Sequence, residues 1–232
     1  MSLSIVIPAK NEEPNILKTI NFLISVIKKY INYEIIVIDD FSTDKTYEKI
    51  KKLKKKNIFI YKNKKPGIGN AINTGILKSK KKYICFFMAD SSDSPKDLLK
   101  DYFLIKELKV DAIFGSRFIK GSLVVNYPKF KLLLNRFANN LIKLLYNSNY
   151  NDFTNAFKIY KRSKLNTLGS FESSGFNIFL EIPLKFIENN FLYIITPISW
   201  RDRSYGKSHF KINEVTFSYI KILFKCFFNR IK

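Results

Sequence analysis

A chain of 232 residues with 46% hydrophobic side chains holds enough apolar material for one sizeable core. Its formal charge is +22, from 41 basic and 19 acidic residues. One histidine and two cysteines are too few for a His/Cys zinc centre and leave little room for imidazole catalysis.

No run approaches the ~18 apolar residues that suggest a membrane-spanning helix. The start, Met-Ser-Leu-Ser-Ile, reads as a strand: it lacks the basic n-region and cleavage site of a signal peptide. The expectation is a cytoplasmic protein with Cys85 and Cys226 reduced. Only six of the basic residues are Arg, and Lys, Asn, Ile, Phe and Tyr abound together. The lysine run at Lys51–Asn57 therefore reads as composition bias on a solvated surface. The basic C-terminus reads as attraction to an anionic membrane face. Nucleic acid is not expected, because no basic-aromatic module accompanies the charge.

In chain order, Leu3–Pro8 is a short β-branched run that suits a strand buried on both faces. Asn11–Tyr30 carries apolar residues at helical spacing. Tyr33–Asp40 is a second strand, and Ser42, Thr43 and Asp44 are N-cap residues for a helix to Leu53. A third strand, Asn57–Asn63, precedes a turn into the helix of Pro66–Ser79. The strand Lys82–Met88 leads to Ser94 and Pro95, which cap and start a helix to Lys109. Val110–Arg117 is a fifth strand.

Regular strand-helix alternation predicts a mostly parallel α/β sheet with helices on both faces. Ligands of such sheets bind beyond the carboxyl ends of the strands. Polar clusters fall at four of those ends: Pro8–Glu12, Asp39–Asp40, Asp90–Asp93 and Gly115–Arg117. Beyond Gly121 the pattern loosens. Tyr127–Asn147 reads as an amphipathic helix and Asn151–Leu165 as a turn and strand. Phe176–Asn190 is helical, with Pro183 expected to end or kink its first turns. A strand and polar loop follow, and an amphipathic segment closes the chain.

The ordered set IVIPAKNEEPNI, EIIVIDDFSTDKT, GIGNAINTG, MADSSDSPKDL and GSRF resembles family 2 glycosyltransferases of the GT-A (Rossmann-like) fold. DFTNAFKIYKR, GFNIFLEIPLKF and WRDRSYGKSHF resemble the dolichyl-phosphate mannosyltransferase and polyprenyl-phosphate glycosyltransferase branch. The resemblance implies a catalytic domain over 1–210 and a C-terminal amphipathic helix over 211–232, facing lipid, core or a membrane-protein partner. It implies inverting transfer of a hexose from a GDP- or UDP-sugar to a polyprenyl phosphate at the inner membrane face. The alternatives are a saccharide acceptor in cell-surface polysaccharide synthesis and a catalytically impaired binding subunit.

The same resemblance assigns the donor nucleotide to Pro8, Ala9, Asn11, Glu12, Asp39, Asp40, Gly67, Asn70, Ala89 and Asp90. Asp90 matches the second acid of the family's Asp-x-Asp metal motif for Mg²⁺ or Mn²⁺, but Met88 replaces the first. A thioether is a poor ligand for either ion. Asp93 stands as a substitute ligand or as a helix cap. Arg117, Lys131, Asn135, Arg203 and Ser208 match acceptor-phosphate positions, with Lys131 and Asn135 where Arg and Ser are usual. Lys grips a phosphate as a point charge rather than a fork. Asp152 and Glu181 match acids near the sugar-acceptor junction, or are buried carboxylates paired to Arg201 or Arg203. Asp90, Asp152, Glu181 and Arg203 make up the expected catalytic set.

Overall fold

The computed structural model describes residues 2–203 and 212–231. The first half alternates β1 (Ser2–Ala9), α1 (Ile16–Ile27), β2 (Asn32–Asp39), α2 (Thr46–Lys51), β3 (Ile58–Lys62), α3 (Ile68–Lys78), β4 (Tyr83–Phe86), α4 (Pro95–Leu108) and β5 (Ala112–Ser116). The second half holds β6 (Leu123–Val125), α5 (Lys129–Leu145), β7 (Lys158–Lys161), α6 (Arg162–Thr167), α7 (Ile178–Glu188), β8 (Tyr193–Pro197), β9 (Ser199–Arg201) and α8 (Ile212–Ile231).

Seven strands form one sheet in the order β3-β2-β1-β4-β7-β5-β8, and β6 pairs with β9 in a small second sheet. β7 runs antiparallel between β4 and β5, and every other pairing is parallel. The expected five strands are all present. The strand-like run after Asn151 becomes the antiparallel insert. Alternation along β1 divides the core: Ile5 and Ile7 face the α1 and α4 layer, and Val6 faces the layer of α3 and α7.

Three local expectations shift. α1 starts at Ile16 rather than Asn11, because Asn11 adopts φ 54° and serves the preceding loop. α2 starts at Thr46, after Ser42 and Thr43 have turned to Asn11. Pro183 lies inside α7 without ending it. A mid-helix Pro costs ~3 kcal/mol, and the buried neighbours Leu180, Ile182, Leu184 and Phe186 offset that cost by packing. Ser94 caps α4 as the sequence indicates, accepting from the Asp97 amide at 3.3 Å, with Pro95 at the first helical position.

Candidate functional site

The carboxyl ends of β1 and β2 converge on a cleft of about 210 Å³. Pro8, Ala9, Glu12, Asp40 and Gly67 line it, together with Met88 and Arg203. Its geometry is fixed by loop-to-loop bonds. The Asn11 amide donates to Ser42 Oγ at 3.0 Å, and Asn11 Oδ1 accepts from the Thr43 amide at 2.8 Å. The Glu12 amide donates to Thr46 Oγ1 at 2.9 Å. Asn11 thus joins the β1 and β2 loops.

The adjacent acids at the end of β2 have separate tasks. Asp40 accepts from the Gly67 amide at 2.9 Å and from Asn63 Nδ2 at 2.8 Å, which pins the turn into α3. Asp39 is buried, and its Oδ1 has no hydrogen-bond partner among the described residues. Burial raises the Asp39 carboxyl above its usual range, against hydrogen bonds from Ser42. An unsatisfied buried carboxylate oxygen is costly and calls for a donor. Asn70 sits on the first turn of α3 and donates to the Pro66 carbonyl at 2.8 Å.

Gly67 and Gly69 are dictated by close approach as well as by the turn. A Cβ on Gly67 would lie 2.3 Å from the Ser174 carbonyl oxygen, and one on Gly69 would lie 2.0 Å from that of Ser173. This contact seats the 172–174 segment beside the cleft. Glu181 holds that segment from behind: it accepts from the Glu172 and Ser173 amides and pairs with Lys185 at 2.7 Å. Glu181 therefore supports the cleft wall, and its cation is Lys185 rather than Arg201 or Arg203.

Opposite this wall, β9 is tied to the loop after β4. The Arg201 amide donates to the Ser92 carbonyl, and Trp200 bridges Asp93. Two residues on, Arg203 reaches across the cleft mouth. Its Nη2 donates to Asp90 Oδ2 at 2.8 Å, and its Nη1 lies 3.5 Å from Glu12 Oε1. Asp90 also accepts from the Ser92 amide at 3.1 Å. Burial raises the Glu12 carboxyl, while Asn15 and Arg203 counteract the shift. Ala89 is buried, its carbonyl accepting from Thr19 Oγ1.

Asp93 does not join Asp90 at the cleft. It is buried, and its Oδ2 accepts from the Met88 amide at 2.8 Å. Burial pushes its carboxyl up to about 7. Among the described residues no group of three His, Cys, Asp or Glu side chains is placed to hold a metal. Asp90 is the one acid of the expected pair at the cleft edge. A single carboxylate suits Mg²⁺ or Mn²⁺ only where substrate phosphates and water complete the shell.

The Arg117 corner is closed. Its Nε and Nη2 donate to Asp152 Oδ2 and Oδ1 at 2.8 and 2.7 Å, and its amide donates to Oδ2 at 2.8 Å. Tyr127 and Trp200 flank the guanidinium. The Asp152 charge raises the pKa of Arg117 against the opposing effect of burial. Asp152 is thus paired to Arg117, not to Arg201 or Arg203. Lys131 and Asn135 lie on α5, half-buried, and Asn135 Nδ2 donates to Thr154 Oγ1 at 3.2 Å. Ser208 and His209 lie outside the described residues.

The structure adds cleft residues that the sequence did not single out: Lys10, Ile68, Gly175 and Phe176. Lys10 sits between residues already suspected. Phe176 reaches the cleft only through the Gly69–Ser174 contact, which has no local signature.

A cleft at the strand ends of a mostly parallel sheet, rimmed by acids and one arginine, is the arrangement of a Rossmann-like α/β domain, whose ligands bind beyond the carboxyl ends of the strands. The family model described as Glycosyl transferase family 2 matches residues 4–169, and the chain belongs to that family. A dolichol-phosphate mannosyltransferase of Pyrococcus furiosus is 31% identical over 142 residues, which are 60% of this chain and 39% of that protein. A polyprenol monophosphomannose synthase of Mycolicibacterium smegmatis is 25% identical over 213 residues, 88% of this chain and 79% of that one. The chain thus spans well under half of the Pyrococcus protein. Glucosyl-3-phosphoglycerate synthase from Mycobacterium tuberculosis, solved with Mn²⁺, UDP and phosphoglyceric acid, superposes with TM-score 0.73 at 16% identity, covering 97% of this chain and 78% of that one. Staphylococcus aureus TarS 1-349 with UDP-GlcNAc gives TM-score 0.67 at 19% identity, covering 97% and 66%.

Proposed function

We propose that this glycosyltransferase moves a hexose from a UDP- or GDP-sugar to an acceptor held near Arg203. One observation carries the reading: Glu12 and Asp90 converge on Arg203 at the mouth of a cleft whose depth holds Asp40. Pro8, Ala9, Glu12, Asp40 and Gly67 would shape the nucleoside site from the cleft lining, with Asn11 and Asp39 supporting it from the loop and strand end behind.

The leaving group is a nucleoside diphosphate, so charge accumulates on its phosphates as the glycosidic bond breaks. Mg²⁺ or Mn²⁺, when bound, would neutralise that charge, with Asp90 as the protein ligand. Arg203, bonded to Asp90, would share this task and orient an anionic acceptor. A phosphate acceptor is already a nucleophile and needs positioning rather than deprotonation. That demand suits a chain with a single histidine.

Two acceptors fit. A polyprenyl phosphate at the inner membrane face is suggested by the names of the two curated relatives. A saccharide or other non-prenyl acceptor is favoured by the Arg117 corner, where the Nε–Nη2 edge of the buried guanidinium is already committed to Asp152. A solved neighbour named glucosyl-3-phosphoglycerate synthase, in complex with phosphoglyceric acid, supports considering acceptors outside the prenyl class.

Calorimetry with UDP and GDP, each with and without Mn²⁺, tests the donor. Metal-dependent micromolar binding of one nucleotide is expected. No binding of either by folded protein would favour an impaired binding subunit, for which Met88 is the motive. Transfer of labelled sugar to a polyprenyl phosphate or to an oligosaccharide then decides the acceptor. Asp90→Ala should abolish transfer while leaving the fold intact; retained transfer would remove Asp90 from the mechanism.

A further inference from the structure

Helix α5 is packed inside out. Phe130, Leu133, Leu134, Phe137, Leu141 and Leu144 recur at helical spacing and form one apolar stripe along Lys129–Leu145. A surface helix normally lays such a stripe on the core. α5 instead buries Asn139 and Ile142. Asn139 Nδ2 donates to Asn135 Oδ1 at 2.9 Å and to Thr154 Oγ1 at 3.2 Å, so the inward face is held by polar bonds. The stripe is left outside: Phe130 is 72% exposed, Leu133 66%, Phe137 62% and Leu144 78%. Scattered exposed apolar residues are ordinary, but a contiguous row of this length marks an interaction surface.

The helix has 17 residues, a row of about 25 Å at 1.5 Å per residue. α8 packs against its C-terminal end. The Tyr146 ring packs on Phe227 at 6.3 Å between centroids, and Ile142 shares a core cluster with Ile222 and Cys226. α8 leaves its own stripe exposed, at Phe217, Ile220, Phe224 and Phe228. One face of α8 thus packs on the domain while another does not.

We propose that the α5 stripe seats on an anionic lipid bilayer surface. Charge selects this occupant. α5 carries Lys129, Lys131, Arg136 and Lys143 and has no Asp or Glu. A second copy presenting the same face would bring cation against cation, in a chain whose net charge is +22. An anionic headgroup layer is complementary, and lysines beside an apolar stripe extend toward it while their stems lie along the apolar surface. Among the described residues no helix is long and apolar enough to cross a membrane, so the contact is interfacial. The surface does not depend on which acceptor the cleft takes.

The test uses the full chain and sucrose-gradient flotation with vesicles of phosphatidylcholine containing 30% phosphatidylglycerol, against pure phosphatidylcholine, in about 0.15 M salt. The wild-type chain should float with the anionic vesicles and much less with neutral ones. The variant L133Q/F137Q/L141Q, which leaves Lys131 and Asn135 in place, should bind about tenfold more weakly or worse. An F130Q/L144Q variant gives an independent reading at the helix ends. Circular dichroism and nucleotide calorimetry confirm that each variant is folded; the same calorimetry reports the donor site without reference to lipid. Wild-type protein that stays at the bottom of the gradient overturns the proposal. So does a variant that floats as well as wild type, which would leave only lysine adhesion. A wild-type dimer that does not float and that L133Q/F137Q/L141Q dissociates would assign the stripe to self-association instead.

Discussion

Two arginine–carboxylate pairs stand at the strand ends, and they are built differently. Arg117 meets one carboxylate, Asp152, through its Nε–Nη2 edge and its own amide, with both residues buried and aromatic rings alongside. Arg203 divides itself between two carboxylates from different loops, at 2.8 and 3.5 Å, and its side chain is 19% exposed. A bidentate buried pair cannot release its cation without leaving a charge stranded. A splayed pair at a cleft mouth presents its cation where ligand oxygens can take the place of protein oxygens. The difference separates a cation locked into one carboxylate from one shared between two loops at the cleft mouth, although the sequence presents both as arginines after a strand.

The largest expected effect comes from breaking the closed pair. Asp152→Ala strands the Arg117 guanidinium and should cost about 3–5 kcal/mol in stability. Urea denaturation reads it. Replacing both partners with apolar residues, Arg117→Met with Asp152→Leu, should recover most of that loss, because no charge remains buried. A small effect of Asp152→Ala alone would place Asp152 among exchangeable groups, as the sequence reading had allowed.

A third buried carboxylate sharpens the contrast, because it lacks a bidentate partner. Asp101 accepts from Thr196 Oγ1 at 2.9 Å and has Lys100 only at 3.6 Å. Burial pushes its carboxyl up to about 6, from an ordinary value near 3.8. The folded state therefore binds the proton more tightly than the unfolded chain. Its contribution to stability is full below the unfolded pKa and is lost as pH rises from about 4 to about 6. The linked loss is at most about 3 kcal/mol. Asp101→Asn should flatten that part of the stability–pH curve, measured by denaturation at pH 4, 5, 6 and 7. An unchanged slope would mean that Asp101 does not carry this proton.

The sequence made the first half of this architecture readable because its physics is local. Five β-branched runs, Ser94-Pro95 and the polar strand ends each carry their reason within a few residues. The rest depends on contacts made at long range. Arg117 and Asp152 are 35 residues apart, and neither neighbourhood names the other. Asp93 carries the composition of a metal ligand, but the backbone turns it inward to the Met88 amide. Phe176 reaches the cleft because Gly69 lets the 172–174 segment approach. The period of α5 is plain in the sequence; that its apolar side faces outward is not, since periodicity fixes a stripe and not the direction in which it points.

The smallest structural effect should come from the open pair, and there stability and activity part company. Arg203→Gln keeps much of the side chain's length and removes its charge. Asp90 and Glu12 are buried and lose a cation shared across the cleft mouth rather than locked in one bidentate pair, so unfolding free energy should fall, but by less than for Asp152→Ala. Turnover should respond quite differently. With the guanidinium gone, Glu12 and Asp90 face the incoming diphosphate without their cation. Loss of one charge-stabilising donor at a reacting centre costs about 10²–10³-fold in rate. The Glu12 carboxyl should also move further above its ordinary value, because Arg203 is one of the groups holding it down. Any pH dependence of donor binding that Glu12 carries should then shift to higher pH, which calorimetry across pH 5–8 reads without reference to turnover. If Arg203→Gln instead lowered stability as much as Asp152→Ala, both arginines would be structural, and the ligand's cation would have to come from elsewhere on the cleft rim, with Lys10 the first candidate.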